Sequence, residues 1–118
     1  MSRVLNEVLA EFKTIKGVKA ATLVWRSGMY IAGDVAPNAH TETYVAMAAI
    51  ILGAAEATAT ETRLELSHAM VDFTTGHQYL FGCGTKALAV LFCEAPLDLK
   101  TQKTAILDII DKINESMS

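Results

Sequence analysis

The stretch TETYVAMAAIILGAAEATATE, Thr41 to Glu61, decides how this chain is read. It has helical character and is apolar almost all the way round, where a surface helix normally carries an apolar stripe and a polar back. At about 100° per residue, Tyr44, Ala48, Ile51, Leu52 and Ala55 share one face, which suits packing on a sheet. Met47, Ile50, Ala54 and Ala57 share a second face, with Ala46 and Gly53 beside it. Small residues there allow another backbone to approach closely. In a chain of 118 residues, a helix built to be covered on two sides implies that the second cover is another subunit. The polar remainder is a narrow line of Glu42, Glu56 and Thr60 with Ala49 and Gly53 between them.

Upstream, Asp34 to His40 is a turn-rich link around Pro37 and Asn38. Before it, Val18 to Arg26 and Met29 to Gly33 read as two strands joined at Ser27-Gly28. Val24 points to one side and Leu23 and Trp25 to the other, so both faces of this sheet need cover. Ser2 to Lys16 opens the chain as an amphipathic helix, with Ser2 as its cap and Gly17 as its stop. Downstream, Leu64 to Thr74 is the most polar strand, interrupted by Glu65, Ser67, His68 and Asp72, as suits an edge. Thr75-Gly76 turns into His77 to Cys83, and Gly84 to Lys86 turns into Ala87 to Cys93, a continuous apolar run fit for the middle of a sheet. Asp98 caps a last helix reaching about Glu115, whose stripe is Ile106, Ile109, Ile110, Ile113 and Met117. The order α-β-β-α-β-β-β-α predicts one α+β domain over residues 1–118. It has a five-stranded antiparallel sheet, terminal helices on one face and the central helix on the other.

Composition narrows the function classes. The chain is 52% hydrophobic and 19% charged with net charge −3, which describes a packed core rather than a disordered tail. No basic cluster interleaved with aromatics is present, which argues against nucleic acid. The N-terminal segment does not read as a signal peptide, and the least polar run, Tyr44 to Ala55, is too short to span a bilayer. The reading is a soluble, cytoplasmic protein with no direct membrane insertion.

No arrangement of reactive residues reads as a catalytic, metal or cofactor site. His40, His68 and His77 have no neighbours at metal-ligand spacing. Cys83 and Cys93 fall out of register in a hairpin that turns about Thr85, where Cys83 faces Ala87 and Cys93 faces His77. They read as two free, buried thiols. Gly82-Cys83-Gly84 runs from strand to strand, whereas a phosphate loop runs from strand to helix. Ser67, His68 and Asp72 lie on one strand without a nucleophile elbow. Glu42 and Glu56 are roughly 21 Å apart along the helix at 1.5 Å per residue, far beyond paired-carboxylate chemistry. Arg3, Arg26 and Arg63 read as exposed, solubilising residues.

Three stretches carry a resemblance to a known family: GVKAATLVWRSGMYIAG (Gly17 to Gly33), AMAAIILGAAEATA (Ala46 to Ala59) and HQYLFGCGTKALAVLFCEAPLDL (His77 to Leu99). In order and spacing they are similar to the Roadblock / dynein light chain family, in its prokaryotic MglB-like branch. The resemblance implies a dimer in which central helices pair side by side and third strands meet, extending the sheet across both subunits. Mapped onto this chain, that interface comprises Ala46, Met47, Ile50, Ala54, Ala57, Leu66, His68 and Met70. The resemblance also implies a non-enzymatic regulator or scaffold that binds a small Ras-like GTPase on the paired helices. It would stimulate hydrolysis by repositioning the GTPase's own residues, without an arginine finger. Here the docking strip would be Glu42, Ala49, Gly53, Glu56 and Thr60. The alternatives are a structural adaptor like the dynein-associated branch and a small-molecule sensor. An enzyme is the reading with least support.

Overall fold

The computed structural model describes residues 2–118. Eight elements follow one another: α1 (Ser2–Phe12), β1 (Val18–Trp25), β2 (Tyr30–Gly33), α2 (Thr41–Thr62), β3 (Ala69–Phe73), β4 (Gly76–Cys83), β5 (Ala87–Cys93) and α3 (Leu99–Met117). The strands form one antiparallel sheet in the order β2-β1-β5-β4-β3. The expected architecture is present, element for element.

The alternation of side chains across each strand splits the core into two layers. On one face, Leu5, Leu9 and Phe12 of α1 and Ile106, Ile109, Ile110 and Ile113 of α3 pack on Leu23, Tyr79, Phe81 and Leu91. On the other, Val45, Ala48 and Leu52 of α2 pack on Val24, Leu80, Leu88 and Val90. Val45, which the face drawn from sequence omitted, is one of the three fully covered α2 residues. Five of the seven β5 residues from Ala87 to Leu91 are wholly buried in succession, as its central position requires.

Boundaries moved where local chemistry overrode periodicity. α1 stops at Phe12 rather than Lys16, because Lys13, Thr14 and Ile15 bond back three residues and tighten the chain into a turn. The proposed cap role of the Ser2 side chain lies outside the described residues. Between β1 and β2 the chain makes a longer loop than a two-residue turn, closed by Trp25 N–H to Met29 C=O at 2.9 Å. The β3–β4 turn is Thr74-Thr75, with Gly76 already paired to Phe73. The predicted third strand from Leu64 shortens to Ala69–Phe73. α2 ends with Arg63 in the left-handed region at φ 58, and Leu64 N–H reaches back to Ala59 C=O at 3.0 Å. That closure commits the following residues to a link rather than a ladder.

α2 also differs from its sequence reading in one respect that bears on membranes. Its 22 residues, Thr41–Thr62, are long and apolar enough by length and composition to cross one, although Tyr44 to Ala55 alone is not. In the fold this helix lies across the sheet.

The hairpin register is the one deduced: Cys83 pairs with Ala87 and His77 with Cys93. Both cysteines are free and buried. Burial pushes the Cys83 thiol up to about 12, with Arg26 opposing, and burial pushes Cys93 up to about 11. Native protein should therefore react only slowly with a thiol-specific disulfide reagent at pH 8, whereas denatured, unreduced protein should titrate two thiols. Loss of both thiols in fresh protein would contradict this register.

Candidate interaction surfaces on the central helix and edge strand

The outward side of α2 is uncovered by its own chain. Met47 is 48% exposed and Ile50 61%, with Ala54 and Ala57 exposed beside them and Ala46 half-buried. Helical geometry puts these residues opposite Val45, Ala48 and Leu52. Three threonines near the C-terminal end leave the helix less polar than their names suggest. The hydroxyls of Thr58, Thr60 and Thr62 donate to the carbonyls of Ala54, Glu56 and Thr58. Each hydroxyl is thereby satisfied within the helix.

On the α2 side of the edge strand β3, Phe73 and Val71 border the same groove as Met47, whereas Met70 pairs with Tyr79 and so faces the α1–α3 side. Met70 is 50% exposed and Phe73 49%. The other predicted interface residues are divided between layers. Leu66 packs partly on the α2 layer. His68 lies on the opposite layer, its ring 5.5 Å from Phe81 and 6.0 Å from Tyr79. Burial first, then Lys103, holds the His68 pKa below the ordinary histidine value. Neutral His68 is thus placed to accept from the Ser67 hydroxyl at 2.9 Å, while Lys103 donates to that hydroxyl at 3.0 Å. Asp72 does not complete a triad, because its carboxylate pairs with His77 at 2.7 Å. Among the described residues, no group of three His, Cys, Asp or Glu side chains could hold a metal ion.

The strip Glu42–Ala49–Gly53–Glu56–Thr60 runs along the flank of α2, and its members differ in freedom. Glu42, in the first turn, and Thr60 are exposed. Gly53 has nothing within 4 Å of where a Cβ would stand. Ala49 is partly covered by the β1–β2 turn. A Cβ at Gly28, itself at φ +94, would lie 3.4 Å from the Ala46 Cα and 3.9 Å from the Ala49 methyl. The hairpin tip is therefore seated on the helix flank and leaves Met29 exposed beside it. Glu56 is not a free acid: it forms an ion pair with Arg26.

That pair corrects the sequence reading of Arg26 as a solubilising residue. Its guanidinium is partly buried and also donates to the carbonyls of Ala87 at 2.8 Å and Gly84 at 3.0 Å. Gly82 makes room for it, since a Cβ there would stand 2.8 Å from Nη2. One side chain thus ties α2 to the end of β1 and the β4–β5 turn. A lone arginine after a strand carries no sequence signal for this role; the glycine two residues before the turn is the only hint.

A sheet of this order, with two helices on one face and a long, half-covered helix on the other, defines a class. The family model of the Roadblock/LC7 domain matches residues 4–92, and the chain belongs to that family. The uncharacterised protein MJ0714 of Methanocaldococcus jannaschii is 31% identical over 110 residues, covering 92% of each chain. Among solved structures, Myxococcus xanthus MglB is similar at a TM-score of 0.77 with 15% identity, over 98% of this chain and 93% of that one. The gliding protein MglB of Thermus thermophilus is similar at 0.78 with 21% identity, over 97% and 88%. At those identities the likeness concerns the fold alone.

Replacing Arg26 with Gln should remove the ion pair and shorten the reach to two carbonyls. We expect a loss of about 1–3 kcal/mol, read from urea unfolding, with the partial exposure of the pair keeping it below a fully buried case. An unchanged midpoint would mean the clamp contributes nothing to stability.

Proposed function

We propose that this chain is a non-enzymatic, dimeric regulator that binds a small Ras-like GTPase in the cytoplasm. The observation carrying the proposal is the outer face of α2, where Met47, Ile50, Ala54 and Ala57 remain exposed, bordered by the exposed Phe73 of the edge strand β3, with Met70 exposed on the strand's other face. An exposed apolar helix face next to an unpaired edge strand marks an association site. The family resemblance supplies the mode: helix beside helix and strand beside strand. A second copy presents the same chemistry, so the interface is self-complementary. Leu66, His68 and Ala46 then lie at or near its margin.

The α2 flank is the docking surface in this reading. Glu42, Gly53 and Thr60 stay accessible beside the pair of helices, and Ala49 and Gly53 permit close approach. Two such flanks related by a two-fold axis meet one asymmetric GTPase, giving two copies of this chain per GTPase. Stimulation of hydrolysis, where it occurs, comes from the GTPase's own residues being repositioned, as the family resemblance implies. A structural adaptor uses the same dimer without the GTPase.

Ile50→Glu tests the dimer. Ile50 is mostly exposed, so the isolated fold should keep its stability within about 0.5 kcal/mol. An unpaired charge in a covered contact should cost about 3–5 kcal/mol of association. Light scattering after size exclusion should show a wild-type dimer and a folded monomeric variant. A wild-type monomer, or an undisturbed dimer in the variant, removes α2 from the interface.

Glu42→Lys tests docking without disturbing the fold. Glu56→Lys is unsuitable, because it also breaks the pair with Arg26. Calorimetry with candidate GTPases, loaded with GDP or a GTP analogue, should give a ratio of two chains to one GTPase. The variant should bind more slowly and with altered salt dependence. Identical affinity and salt dependence would place docking elsewhere, and a stable dimer that binds no GTPase in either state would leave the adaptor.

A further inference from the structure

Where α2, β3 and β4 meet near the β3–β4 turn, the apolar layer contains polar groups that the chain leaves unpaired. Gln78 sits on the α2 side of β4, opposite Phe92 of β5 and Val71 of β3. It is 5% exposed, and its carboxamide, which makes no side-chain hydrogen bond among the described residues, keeps contact with solvent. Nearby, the Tyr44 hydroxyl is sealed from solvent without a partner. Buried polar groups are nearly always hydrogen-bonded, and an unmet one lowers stability. Leu80 and Val90 show what this layer otherwise uses.

A hollow of about 230 Å³ adjoins these groups. Its walls include the rings of Tyr44, Phe73 and Phe92, with Gln78, Thr75 and Ala36 completing them. No charged side chain is among its lining residues. With no counter-charge on its walls, the hollow gives an ion nothing in exchange for the water it sheds, and so favours an uncharged occupant. Three aromatic walls suit a flat ring. A carboxamide offers a donor and an acceptor side by side, the complement of another amide or lactam edge. We propose that this hollow binds a small, uncharged, planar molecule bearing an amide or lactam edge, held by the Gln78 carboxamide between aromatic walls. The site is separate from the docking flank of α2 and does not rest on the GTPase reading, and its Phe73 wall borders the surface assigned to the dimer.

Benzamide, benzoate and toluene share a ring and differ in the property at issue. Titrated into ¹⁵N-labelled wild-type protein, benzamide should shift the Gln78 side-chain amide and the Gly76 and Phe92 backbone amides along one saturable curve. Benzoate and toluene should bind at least tenfold more weakly. Gln78→Leu should erase the preference for benzamide over toluene while the spectrum stays dispersed. Equal affinity for toluene and benzamide in the wild type would show an apolar hollow only. Benzamide shifts that never saturate, or that fall away from Gln78, would overturn the site. Should the variant misfold, the wild-type comparison alone decides.

Discussion

The fold depends on one unequal match: a 22-residue helix with two apolar sides, and a sheet that covers only one of them. Burial of Val45, Ala48 and Leu52 against Val24, Leu80, Leu88 and Val90 removes apolar surface from water at roughly 25 cal/mol per Å². The same driving force stays unspent on the opposite side, where Met47 and Ile50 remain in contact with solvent. The chain has also muted the polarity of this helix. Glu56 is neutralised by Arg26, and three threonine hydroxyls turn back to helix carbonyls. A helix serving only as a lid would gain nothing from a less polar back. This one keeps its charges to its ends and to one flank.

The sheet can support such a helix because its middle is insulated on both faces. β5 lies between β1 and β4, and α1 and α3 close the face that α2 does not. Lys112 of α3 pairs with Glu11 of α1 at 2.8 Å, but this exposed pair adds little beside the isoleucine stripe packed on α1 and the sheet. Stability therefore resides in the α1–α3 layer. The α2 layer is smaller, with fewer buried residues, and is left to present a surface.

How much of this was legible in the sequence follows from the range of each interaction. Element order, layering and the β4–β5 register follow from patterns repeated within a few residues, and those readings agree with the structure. The outer face of α2 was equally legible, because Met47, Ile50, Ala54 and Ala57 recur at helical spacing. What escaped the reading depends on contacts between distant positions. Arg26 and Glu56 are thirty residues apart, and nothing local marks them as partners. The Gly28 turn seated on Ala46 and Ala49 is likewise visible only when the hairpin is folded against the helix. The shortened β3 was misjudged for a different reason. Its alternation continues back to Leu64, but the left-handed residue Arg63 sets the direction in which the chain leaves α2.

These long-range contacts bear on what the α2 flank can do. A docking surface loses affinity to every side chain and segment that must be ordered on binding. Here the flank is ordered beforehand at two points. The hairpin tip rests against Ala46 and Ala49 near its middle, and Arg26 holds Glu56 toward its C-terminal end through a carboxylate and two carbonyls. Between them Gly53 leaves the helix backbone open, without a side chain to order. The acid that sequence alone offers as a docking charge thus serves as a strut, and the free charge of the strip is Glu42. A partner docking on this flank would meet a fixed backbone with one acidic end. Shape and small residues would then contribute more to recognition there than the strip's formal charge.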